Sequence, residues 1–214
     1  MTARGRAAGG LIAMTTTPLE RVSASATILA PVLLLTSTVA YGTLGEGHGV
    51  GAVGGLLQIP AMIAFAVAVV GLVRWAEPAA PRAAAALTVL CLAGTAGGVA
   101  FGVDGVQAGL FGTPGLDEVN LIGALALRGP GLLFPPSMVA LAVLLGVTGR
   151  ASRPVAAAFA LGALLFPVGR IFSLLPVAVA TDLVLVAAMG ALGLRLLRGT
   201  TSRPVRTRRE TVPA

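Results

Sequence analysis

The chain has no lysine, one cysteine (Cys91) and one histidine (His48), and 11% of its 214 residues are charged. Soluble globular domains carry about 25% charged residues, so an ordinary water-facing surface is excluded. A single cysteine excludes an intramolecular disulfide framework. One cysteine and one histidine also leave too few ligands for a protein-built zinc or haem centre. The inventory of reactive motifs is equally thin, with no G-x-S-x-G elbow, no H-E-x-x-H, no P-loop lysine and no C-x-x-C. Seven serines and one histidine show no nucleophile–base spacing. We therefore expect neither catalysis nor a cofactor, and no metal.

What is present is apolar. Hydrophobic residues make up 56% of the chain, with 29 Gly and 14 Pro, and the mean hydropathy is +0.94. A hydrocarbon core about 30 Å thick takes roughly 20 apolar residues of helix. Six stretches meet or approach that length: 22–41, 51–73, 83–103, 130–148, 155–172 and 174–197. They are apolar on every face, without the alternation of membrane strands, and only helices satisfy their own backbone in lipid. The expectation is an all-α polytopic membrane protein of six transmembrane helices. A segment over 1–21 precedes the helical domain (22–198), and a disordered basic tail (199–214) follows it. The first apolar stretch, after Arg4, Arg6 and Arg21, reads as an uncleaved anchor. A secretory signal peptide is the competing reading, and Met14 is an alternative start.

All fifteen basic residues are arginine and eight residues are acidic, for a net charge of +7. A sequence pI near 11.6 would ordinarily raise nucleic acid as a partner, but sorting the charges by loop removes that reading. Arg74 and Arg82 lie between the second and third spans, and Arg150 and Arg153 between the fourth and fifth. Arg195, Arg198, Arg203, Arg206, Arg208 and Arg209 follow the sixth. With the N-terminal three, thirteen of fifteen arginines share one side with Glu20, Glu77 and Glu210, a net of +10. The positive-inside rule makes that side cytoplasmic, with both termini. The other side holds Arg128, Arg170, Glu46, Asp104, Asp117, Glu118 and Asp182, a net of −3. Lysine-free, Ala- and Arg-rich usage points to a high-GC bacterial genome, and hence to a cell (inner) membrane.

Residues 55–62 (GLLQIPAM) resemble 131–138 (GLLFPPSM), and the matches continue at the same offset through Ala64/Ala140, Ala66/Ala142 and Val67/Val143. We read this as a duplicated helical hairpin, spans 2–3 and 4–5, with biased composition as the competing explanation. Gly94, Gly98 and Gly102, spaced four apart, form a small-residue ladder suited to close helix contact in lipid. Pro60, Pro136 and Pro167 fall inside spans and are expected to bend them.

Charges inside apolar spans are candidate functional groups, because they are costly there. Arg170 lies near the far end of the fifth span, and Asp182 about 12 Å into the sixth at 1.5 Å per residue. They are expected to pair across the two helices, either as a helix lock or as part of a polar pocket. The run 119–148 would be about 45 Å of helix, too long for one span. Gly129-Pro130-Gly131 is expected to break it, leaving a short outer helix over 115–128. Asp117 and Glu118 would suit its N-terminus, Arg128 its C-terminus, and Gly129 a left-handed stop. Alternatively, Arg128 joins Arg170 in a pocket for a carboxylate or phosphate headgroup. Asp104 and His48 are secondary candidates on the same face. His48 reads first as a solvated loop residue, and Cys91 as a small apolar filler. Arg203, Arg206, Arg208 and Arg209 in the tail anchor the topology and would attract anionic lipid. No nucleic-acid partner is expected, and a protein partner or homo-oligomer stays open. Two functions follow: a non-catalytic membrane component (scaffold, sensor or accessory subunit), or a small permease or headgroup-binding protein with an outward-facing polar pocket.

Overall fold

A computed structural model describes residues 17–45 and 51–199. Among the described residues there are eight helices and no strand: α1 (Pro18–Leu44), α2 (Ala52–Ala76), α3 (Pro81–Phe111), α4 (Leu116–Val119), α5 (Leu121–Gly131), α6 (Phe134–Val147), α7 (Arg153–Ile171) and α8 (Leu175–Gly199). Five of them, α1, α2, α3, α7 and α8, are individually long and apolar enough to cross a bilayer, and α5 with α6 forms a sixth such segment, Leu121–Val147. The protein is an all-α polytopic membrane protein.

The helix starts follow local chemistry. Thr17 and Glu20 form a reciprocal capping box at α1, with Pro18 in the first turn. Pro81, Pro135 and Pro154 open α3, α6 and α7, where a missing N–H removes no intrahelical bond. Asn120 caps α5 by accepting from the Gly123 N–H at 2.8 Å. Helix α3 runs eight residues past the expected 103 and ends where Gly112 takes a left-handed conformation (φ 61°), its N–H bonded to the Ala108 carbonyl.

The six spanning segments close a ring in the order α1, α2, α3, α6, α7, α8, with α8 returning to pack on α1, and α5 leaning on α3. Phe65, Met62, Met138, Leu141, Leu145, Phe159, Met189 and Leu192 fill its centre, with alanines between them. Many large aliphatic side chains point outward instead, among them Leu56, Ile63, Val89, Leu164 and Leu183. Exposed apolar surface on this scale marks a lipid-facing protein. Both ends of the described chain lie at one end of the ring, here the termini end; the end of α1, the start of α2, the α7–α8 turn and α4–α5 lie at the distal end.

Small residues set the helix spacing. Gly98 meets Met62 and Gly102 meets Ile59 and the Gly55 carbonyl, so α2 and α3 approach backbone to backbone. Gly94 faces the start of α6, and Gly97 lies against the backbone of Gly131. The glycine ladder is thus consumed inside the chain.

Two expectations need correction. Gly129 is not left-handed; α5 continues through Pro130 to Gly131, and the turn falls at Leu132–Leu133, whose N–H groups bond the Arg128 and Pro130 carbonyls. The short helix is therefore a single turn (α4) and a separate 11-residue α5. Pro136 lies in the first turn of α6, whereas Pro60 is interior to α2. The two similar segments take different local structures, continuous helix at 55–62 and a helix–turn–helix at 131–138.

Candidate functional site

Arg170 is the penultimate residue of α7, and the turn to α8 is short. It contains Ser173 at φ 52°, and the Leu174 N–H bonds the Gly169 carbonyl at 2.8 Å. Seven residues into α8, Asp182 is wholly buried. The Arg170 Nη2 faces both of its oxygens, at 3.1 Å (Oδ1) and 3.0 Å (Oδ2). Burying a carboxylate is expensive unless it is paired and its remaining lone pairs are bonded. Thr38 of α1 supplies what the ion pair leaves open. Its hydroxyl donates to Asp182 Oδ2 and accepts from Arg170 Nη2 at 2.7 Å. The three side chains thus form a closed hydrogen-bonded ring joining α7, α8 and α1 near the distal end.

The arginine is held from its other side as well. Nη1 donates to the Phe166 carbonyl at 3.3 Å, and the guanidinium carbon stands 3.8 Å from the centroid of the Phe166 ring, a cation–π arrangement. Phe166 packs on Phe134 (5.2 Å between centroids), which meets Phe65 edge-on at 5.3 Å. A file of aromatic rings therefore connects the ion pair to the central core through α6 and α2.

The charges of 104–129 form a second, separate cluster. Arg128 Nη2 and Nε both bond Asp117 Oδ2, at 2.7 and 3.0 Å, with the Arg128 side chain 58% exposed. Arg128 thus ties α5 back to α4 and does not point toward Arg170. Asp104 accepts from the Leu116 N–H at 3.0 Å, fastening α4 to α3, while Glu118 is exposed. The alternative reading, in which Arg128 joins Arg170 in one pocket, is not assembled, because each arginine has its own carboxylate. His48, Arg203, Arg206, Arg208 and Arg209 lie outside the described residues.

Sequence reasoning missed Thr38, Phe166 and Tyr41. Tyr41 lies one turn beyond Thr38, is 4% exposed, and has a buried hydroxyl with no hydrogen-bond partner. Two other polar side chains in the spans bond between helices: Gln58 donates to the Gly98 carbonyl at 2.9 Å and Ser37 to that of Gly54 at 2.8 Å. Among the described residues, no three His, Cys, Asp or Glu side chains gather where a metal could be held.

Grooves between neighbouring helices open on the surface. One, about 300 Å³, lies between α7 and α8 against Gly162, Leu165, Pro176 and Thr181. Another, about 540 Å³, lies between α6 and α7 near the termini end. Neither is lined by Arg170, Asp182 or Arg128. Comparison with protein families, curated proteins and solved structures found no match to this chain.

Proposed function

We propose that this chain is a non-catalytic component of a bacterial cell (inner) membrane, acting as a scaffold, sensor or accessory subunit, with both termini cytoplasmic. The orientation rests on the charge division of the sequence, +10 against −3. The observation that carries the functional reading is the saturation of Asp182. Its oxygens are engaged by Arg170 and Thr38, and it is fully buried. A transport site needs a charge that a substrate can reach and exchange with, whereas this charge is spent on joining three helices. The basic tail adds attraction to anionic lipid of the cytoplasmic leaflet.

Paired substitutions test this reading against that of a permease. Removing one member of a buried ion pair costs about 3–5 kcal/mol, so Asp182→Asn and Arg170→Gln should each lower the thermal unfolding midpoint of the purified protein clearly. The exchanged double variant R170D/D182R should recover part of that loss. Variants as stable as the parent that abolish solute uptake in vesicles would establish the permease instead.

A further inference from the structure

At the termini end, three arginines lie at or against the turn between α6 and α7. Arg150 lays its guanidinium over Trp75, 5.8 Å from the ring centroid, and its Nε is buried without a hydrogen-bond partner. Arg195 reaches across from α8 to donate to the Arg150 carbonyl at 3.3 Å. Arg153 is exposed, and none of the three makes an ion pair among the described residues. Directly below Arg153 lies the groove of about 540 Å³, walled by Val143, Val147, Ala157 and Ala160. Its floor is narrow because Gly146 and Ala156 let α6 and α7 meet; a Cβ added at Gly146 would stand 3.1 Å from that of Ala156. The walls descend from Arg153 to Ala160, about 10 Å of helix, with Val147 77% exposed.

We infer that this groove binds one anionic phospholipid, its phosphate on Arg153 and an acyl chain between α6 and α7. Charge complementarity selects this occupant. An exposed guanidinium without an ion pair, at the level of a membrane surface, attracts anionic headgroups, and a weakly hydrated planar fork suits phosphate oxygens. Small apolar walls below suit hydrocarbon. A second copy seated on the same groove across a two-fold axis would set Arg153 against Arg153, so charge disfavours self-association there.

The test is native mass spectrometry of the full chain in detergent with added phosphatidylglycerol or phosphatidylcholine of identical acyl chains. Arg153→Gln and Ala157→Phe both alter exposed side chains, and an unchanged melting midpoint confirms that they fold. The expected result is preferential retention of phosphatidylglycerol. Retention should fall about fivefold in R153Q, the factor for one arginine at an anionic surface. It should also fall in A157F, which fills the groove and leaves every charge in place. Equal retention of the two lipids by the parent would overturn the inference. So would undiminished retention by A157F, which would move the lipid to the C-terminal arginines. A disulfide dimer of Val147→Cys that phosphatidylglycerol does not suppress would assign the groove to a second copy.

Discussion

At the scale of the residue, the ion pair was legible in the sequence and its third member was not. Arg170 and Asp182 are conspicuous because a charge in an apolar span is expensive, and the long arginine stem can reach from the end of α7 down to the deeper carboxylate. Thr38 carries no such signal. A helical threonine in lipid has a partner by default in the carbonyl one turn back, as Thr27, Thr43, Thr88 and Thr148 show. Only the approach of α1 to α8 makes Thr38 different, and that approach is tertiary. Interhelical hydrogen bonds in membranes average about 0.6 kcal/mol, with maxima near 1.7. Thr38→Val should fall toward the upper end of that range, because it strips a bond from a buried carboxylate and an acceptor from an arginine. The exposed Thr43→Val should stay within about 0.5 kcal/mol of the parent. Unfolding titrations in mixed micelles with sodium dodecyl sulfate would measure both.

Helices five and six show why element boundaries resist sequence reading. Gly129-Pro130-Gly131 has the composition of a break, yet the helix runs through it. Pro130 lies near the end of α5, where little intrahelical bonding remains to lose, and the next two N–H groups find carbonyls in the turn. What Gly131 provides is space for the Phe101 ring of α3, while Gly97 of the same helix lies against its backbone. Similarly, Asp104 and Gln107 lower the hydropathy after 103, so apolar content suggested an early end to α3, while its actual stop is set by Gly112. Gly97→Ala should therefore destabilise by about 1–3 kcal/mol, the usual cost of overpacking, since its Cβ would lie 2.3 Å from the Gly131 nitrogen. Gly190→Ala on α8 meets nothing within 4 Å, and should be neutral or gain up to about 1 kcal/mol of helix propensity. Thermal unfolding of the two variants, one methyl group apart from the parent in each case, gives the comparison.

For the whole molecule, helix number and class were readable from run length, because lipid allows few alternatives. The closed ring was not, since every spanning helix is apolar on its outward face too and periodicity cannot say which face meets which neighbour. Orientation is open to direct measurement. Cys91 is buried, so the parent should resist a membrane-impermeant maleimide applied to intact cells. Thr113→Cys at the distal end should be labelled from outside, and Ala79→Cys at the termini end only after lysis; the reverse pattern would invert the topology. The ion pair also bears on how the chain enters the bilayer during synthesis. Arg170 alone at the end of α7, the shortest single spanning helix at 19 residues, is a poor substrate for insertion, and Asp182 alone burdens α8 in the same way. Twelve positions apart across a three-residue turn, the two charges can neutralise each other before either helix meets lipid by itself. We therefore expect α7 and α8 to partition into the membrane as one hairpin, and a chain interrupted between them to integrate α7 less completely.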